Sequence, residues 1–91
     1  MPYRVTNFQD TPNPNAVKCL LDRPIRDPGR GPGSYRTAQA AADDPVAVAL
    51  FSIPGVTNLL INADWLTVSK EPGVPWKTIQ SEVRRVLGEL P

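Results

Sequence analysis

Polar and apolar positions alternate in four short runs of this chain and fall at helical spacing in two others. In "YRVTNF", Tyr3, Val5 and then Phe8 stand against Arg4, Thr6 and Asn7, which predicts a first strand. "AVKCLL" predicts a second, with Val17, Cys19 and Leu21 on one face and Ala16, Lys18 and Leu20 on the other. Between them "QDTPNPN" reads as a turn. Each residue before a proline is pushed toward extended geometry, and Asn15 can bond its own backbone where the second strand begins. "VTNLLINADWLTVSK" predicts a hairpin turning at Asn62-Ala63-Asp64, residue types that tolerate left-handed backbone. In its second arm Leu66 and Val68 oppose Trp65, Thr67 and Ser69.

The helical signals are equally local. Asp44-Pro45 supplies an acidic cap followed by a proline whose missing N–H costs nothing at the first helical position. Val46, Ala49, Leu50 and Ile53 then fall on one helical face until Pro54-Gly55 ends the pattern. Ahead of it, Thr37 is placed to cap a short turn through the alanines. The last segment carries a stripe of Ile79, Val83, Val86, Leu87 and Leu90. Arg84 and Arg85 in its later half suit the negative end of the helix dipole. The order strand, strand, helix, strand, strand, helix predicts a two-layer α+β fold, an antiparallel sheet with both helices on one face.

The chain has 91 residues, enough for one small domain over 1–91 that buries roughly 60–65% of its unfolded surface. Six glycines and 11 prolines punctuate it, clustering in "PIRDPGRGPG" and "PGVP", and residues 22–36 read as a flexible loop. A net charge of +1 gives no general attraction to nucleic acid or to an anionic membrane. The charge is uneven, since Arg23, Arg26, Arg30 and Arg36 face only Asp27 within 23–36. No apolar run approaches the ~20 residues of a spanning helix, and "MPYRVTNFQD" lacks an apolar signal core. The expected setting is cytoplasmic.

Catalytic chemistry finds little to work with. The chain has no histidine, which removes the commonest general base and metal ligand. Its one cysteine, Cys19, lies in a strand with no base to activate it and reads as a small core residue. One thiol does not make a metal or cluster site within the chain. Asp43 and Asp44 read as a helix cap and its neighbour. "PGRGPG" lacks the Lys-Ser/Thr ending of a phosphate loop. Trp65 and Trp76 are expected to pack on the sheet and to staple the last helix, or to face an interface. The expectation is no enzyme, no catalytic residue, no cofactor and no metal.

Three segments together resemble the N-terminal domain of Nfu/NifU-like iron–sulfur cluster scaffold proteins. Thr11, Pro12, Asn13, Pro14, Asn15, Ala16 and Lys18 match that family's first motif. Pro45, Ala47, Leu50, Phe51, Ile53, Pro54, Gly55 and Val56 match the second, and Thr67, Val68, Lys70 and Trp76 the third. Val17 replaces a leucine, Cys19 an aromatic residue and Asp44 a serine. The resemblance covers nearly the whole chain and implies an α+β domain associated with iron–sulfur cluster assembly or delivery. In the family's full-length scaffolds a separate C-terminal CxxC domain carries the cluster, and these 91 residues hold no such pair. The implied role is therefore that of an accessory or recognition domain that does not itself carry the cluster, with scaffold or recipient proteins as partners. Two readings of "TPNPNAVK" stay open: a rigid structural turn, or a surface of Thr11, Asn13, Asn15 and Lys18 that a partner reads. An alternative function is a regulatory or structural interaction protein that binds an acidic partner through the basic 23–36 loop.

Overall fold

The computed structural model describes residues 3–25, 29 and 31–89. Strands β1 (Val5–Asp10) and β2 (Ala16–Leu21) come first, followed by a short β3 (Gly33–Tyr35) and helix α1 (Pro45–Phe51). Strands β4 (Val56–Ile61) and β5 (Trp65–Lys70) and helix α2 (Trp76–Glu89) complete the chain. The strands form one antiparallel sheet in the order β1-β2-β5-β4-β3. β2 and β5 lie at its centre, with Cys19 opposite Leu66 and Val17 opposite Val68.

The inward face follows the alternation. Val17, Cys19, Leu21, Leu59, Ile61, Leu66 and Val68 are buried in one cluster with Ala47 and Leu50 of α1 and Ile79, Val83, Val86 and Leu87 of α2. Both helices therefore cover the same face. Burying each of these aliphatic side chains is worth about 1.5–3 kcal/mol, and the cluster spans every element except the three-residue β3. Leu90, the last residue of the expected stripe, lies outside the described residues.

Three local readings change. Part of the expected 22–36 loop is a strand: Gly33, Ser34 and Tyr35 pair with Ile61, Leu60 and Leu59 of β4. Three residues carry no alternation to read, and the pairing is set by the otherwise open edge of β4. On α1 the fully buried positions are Ala47 and Leu50, with Ile53 just beyond the helix, while Val46 and Ala49 are only partly buried. A seven-residue helix offers two turns, too few repeats for a pattern to fix its face. The hairpin turns where expected but without left-handed backbone, since no described non-glycine residue has positive φ. Instead the Asn62 carboxamide oxygen accepts the Ala63 N–H at 2.8 Å and Asn62 N–H reaches the Trp65 carbonyl at 2.9 Å.

Asp44 joins helix to sheet. Its Oδ1 accepts the N–H groups of Val46 (3.1 Å) and Ala47 (3.3 Å), and its Oδ2 accepts the Tyr35 hydroxyl at 3.0 Å. One carboxylate thus caps α1 and ties it to the edge strand. Thr37 Oγ1 accepts the Ala40 N–H at 3.0 Å, the cap expected for the alanine turn. Past α1, Gly55 has φ +96° and gives its carbonyl to Glu71 N–H at 2.8 Å. A β-carbon there would lie 2.8 Å from a Val74 methyl. Both the backbone and the close approach of the 71–75 loop call for glycine.

Replacing the cap gives a direct check on this arrangement. Asp44→Ala is expected to lower unfolding free energy by about 1–2 kcal/mol, and Asp44→Asn, which keeps a capping oxygen, by clearly less. Urea denaturation with unchanged m-value measures both, and equal losses would separate the stability from the cap.

Candidate partner-recognition surface

The "TPNPN" turn is held by its own polar atoms. Thr11 Oγ1 donates to the carbonyls of Asn13 (2.9 Å) or Ala16 (3.0 Å) and lies 3.2 Å from the Asn13 N–H, which it can accept. The Asn13 carboxamide oxygen accepts the Asn15 N–H at 2.9 Å, and the Asn13 carbonyl accepts the Ala16 N–H at 3.0 Å. The carboxamide that braces the turn is therefore that of Asn13, not that of Asn15. Asn15 contributes its carbonyl, which accepts the Lys70 N–H at 2.8 Å. The prolines restrict the chain, and two short polar side chains satisfy the backbone groups left over.

A second layer clamps this turn from below. Trp76, at the start of α2, donates its indole N–H to the Pro14 carbonyl at 3.1 Å. Lys70 Nζ sits 5.0 Å from the centre of the Trp76 ring and donates to the carbonyls of Glu71 (3.2 Å) and Pro72 (3.4 Å). Lys70 is only 7% exposed. Its ammonium is held by carbonyl oxygens and a π face, with no carboxylate paired to it among the described residues. The sequence marks Trp76 as a staple and matches Lys70 to the third family motif, but gives the lysine no role. The signal was present: position 70 continues the inward parity of Leu66 and Val68, so a lysine there must be buried or break the pattern.

Lys18 lies elsewhere. It is on the outer face of the sheet, opposite Gln9 on β1 and Thr67 on β5, with Nζ 4.5 Å from the centre of the Trp65 ring. The same face carries Asn7, Leu20, Asn58 and Leu60, so Lys18 is its one charge among the described strand residues. Thr11 and Asn13 instead line a groove of about 490 Å³ with Pro14, Trp76 and Gln80, and neither Asn15 nor Lys18 reaches it. The four residues singled out from sequence thus occupy two places: a braced turn beside a groove, and a cation on an aromatic platform.

Cys19 is fully buried at the centre of the sheet, and burial pushes its thiol up from the usual value near 9 to about 12. No described group of three His, Cys, Asp or Glu residues is arranged to hold a metal ion. No described helix is long and apolar enough to cross a membrane. Of the basic loop, Arg26, Asp27 and Arg30 lie outside the described residues, Arg36 is exposed, and Arg23 reaches Asp22 Oδ2 at 3.4 Å.

Comparison with known proteins adds a family to this geometry. Residues 6–90 match the family described as scaffold protein Nfu/NifU N terminal. A NifU-like protein of Schizosaccharomyces pombe is 36% identical over 81 residues, covering 89% of this chain and 31% of its own length. The NFU1 iron-sulfur cluster scaffold homolog, mitochondrial, of Drosophila ananassae is 35% identical over 79 residues, covering 87% of this chain and 27% of its own. This chain therefore spans less than a third of those relatives. The solution structure of a NifU-like protein from Saccharomyces cerevisiae superposes with a TM-score of 0.79 at 27% identity, covering 91% of this chain and 74% of that one. The crystal structure of Staphylococcus aureus protein SAV1430 shares the fold, with a TM-score of 0.75 at 20% identity, covering 91% and 96% of the two chains.

Two measurements test the geometry itself. Trp76→Phe keeps a ring over Lys70 but removes the donor to Pro14, and is expected to cost about 1 kcal/mol in chemical denaturation. It should also speed amide exchange across residues 11–16, and an unchanged exchange pattern would refute the clamp. For Cys19, the unfolded thiol ionises near pH 9 while the buried one stays protonated up to about 12. The folded state then binds the extra proton, so stability should fall through that window by up to about 1.4 kcal/mol per pH unit. Urea titrations from pH 7 upward should show this alkaline slope in the native chain and a shallower one in Cys19→Ala.

Proposed function

This chain belongs to the Nfu/NifU N-terminal family, and from that membership we propose that it serves iron–sulfur cluster assembly or delivery as a non-enzymatic recognition domain, without carrying the cluster itself. The observation that supports the second half is the place of Cys19. Its sulfur is 0% exposed on the central strand and is held as a thiol by burial, whereas a cluster ligand must be an accessible thiolate. Cargo would have to be held by another polypeptide segment, and this domain would supply contact and orientation.

The contact surface in this reading is the rim of the "TPNPN" turn together with the outer sheet face. Thr11 builds the turn, Asn13 and Asn15 present its polar edge, and Lys18 on Trp65 offers a cation on a half-buried aromatic ring. A turn already braced by hydrogen bonds loses little entropy when a partner docks. The partners proposed are iron–sulfur scaffold or recipient proteins, with nucleic acid and membrane disfavoured by the near-neutral charge. The cytoplasmic setting belongs to the same proposal, although the Drosophila relative bears a mitochondrial name.

Anaerobic titration of the isotope-labelled chain with a cluster-loaded CxxC domain of the Nfu type tests this reading. Amide shifts are expected at residues 11–18 and at Trp65, with binding weakened about tenfold in Lys18→Glu. Incubation of the chain alone with iron and sulfide should give no visible cluster absorption, in the native chain or in Cys19→Ser. Absorption that depends on Cys19 would defeat the non-carrier role. Absence of shifts with both a loaded scaffold and an apo recipient would defeat the recognition role.

A further inference from the structure

A cleft of about 510 Å³ opens where the start of β1, the end of β2 and the last turns of α2 come together. Three arginines from these three regions converge on it: Arg4, Arg23 and Arg84. Tyr3, Val5 and Gly88 complete an apolar part of the lining. Among the described residues the cleft contains one acid, Asp22, and that acid is already engaged. Its Oδ1 accepts the Arg4 backbone N–H at 3.1 Å and its Oδ2 faces Arg23 at 3.4 Å. The Arg4 N–H, and then the neighbouring Arg23 charge, lower its pKa against the opposing effect of burial, so the carboxylate stays ionised.

The walls are fixed by backbone. Asp22 N–H donates to the Arg4 carbonyl and Tyr3 N–H to the Leu87 carbonyl, each at 3.0 Å. Arg84 is positioned by its guanidinium carbon lying 4.8 Å from the centre of the Phe8 ring. Stacking uses the plane of a guanidinium and leaves its five N–H donors at the edge. Among the described residues, neither the Arg4 nor the Arg84 side chain has an acidic partner. The next arginine behaves differently: Arg85 is spent on Glu82 at 2.7 Å and Glu89 at 3.1 Å. Two guanidinium groups thus line one pocket without an acidic partner among the described residues, while a neighbour on the same helix is neutralised.

We propose that this cleft binds a short acidic peptide segment of a protein partner, its carboxylates taken by Arg4 and Arg84 and an apolar side chain by Tyr3, Val5 and Gly88. Arg23, paired with Asp22, frames the rim without adding net charge. The geometry favours carboxylates on a peptide over a nucleic acid backbone. A phosphate chain calls for cations repeated along a track, whereas the two arginines without an acidic partner in this cleft share one pocket, the outer sheet face carries a single lysine among the described strand residues, and the net charge is +1. This site shares only Arg23 with the basic loop that the sequence put forward for an acidic partner. It does not rest on the iron–sulfur reading, and its residues are distinct from those at the "TPNPN" turn.

The test titrates the isotope-labelled protein at low salt with a peptide of alternating glutamate and leucine. Amide shifts are expected at Tyr3–Val5, Asp22, Arg23 and Arg84–Gly88, and nowhere along residues 11–18. Arg4→Glu and Arg84→Glu should each weaken binding by about tenfold, and Arg36→Glu, outside the cleft, by less than about twofold. Arg84→Gln, which removes charge without reversing it, guards against a local effect at Phe8, and thermal melts confirm folding of each variant. Shifts that map elsewhere, no binding at millimolar peptide, or binding indifferent to Arg4 and Arg84 would overturn the proposal. So would oligothymidylate or inorganic phosphate moving the same amides with equal affinity, which would make the cleft a general anion site.

Discussion

Pairing of β2 with β5 is the constraint on which the rest of the molecule depends. It brings together strands separated in sequence by a loop, a short strand, a helix and a hairpin arm, and it sets Cys19 against Leu66 and Val17 against Val68. A slip of one residue would turn Lys18, Leu20, Trp65 and Thr67 into the core and expel the buried set. That register is protected at one end by the Lys70 N–H on the Asn15 carbonyl and at the other by the Leu21 N–H on the Asp64 carbonyl, both outside the strand ladder.

The same register explains why a turn rich in proline and asparagine sits at the head of β2. Once β5 is fixed beside β2, Lys70 arrives inside the protein beneath the turn, and the following loop must curl back over it to satisfy its ammonium with the carbonyls of Glu71 and Pro72. The loop can do so because Gly55 lets Val74 approach closely. Trp76 then begins α2 with its ring on Lys70 and its N–H on Pro14. Turn, buried cation, loop and helix are one connected unit. Rigidity of the turn follows from packing beneath it as much as from its prolines.

Charge is sorted by face. The inner face buries apolar groups and a lysine solvated by carbonyls; the outer face carries uncharged side chains, Leu20 and Leu60 among them, and Lys18 on Trp65. At the far end of the sheet, Arg4, Arg23 and Arg84 line one cleft. Exposed ion pairs such as Arg85 with Glu82 contribute little to folding, so the distribution of charge has more bearing on what the surface meets than on whether the chain folds.

Much of this was written in the sequence, because strand and helix periodicities are local. The alternation of Val17, Cys19 and Leu21 and the stripe of Ile79, Val83, Val86 and Leu87 each specify a segment and its buried face without reference to the rest, and Asp44-Pro45 specifies where α1 starts. Motifs spread over the chain also identified the family. Other features required the assembled fold. The three-residue β3 exists because β4 has an edge to fill, and the inward face of α1 was fixed by docking rather than by two turns of pattern. The side chain bracing the turn proved to be Asn13, since a hydrogen bond depends on distances that residue type does not supply. The separation of Lys18 from Thr11 and Asn13 and the convergence of three arginines depend on long-range pairing. Sequence determined which residues must be buried within each element; only tertiary structure decided which exposed residues meet, because their neighbours come from segments remote along the chain.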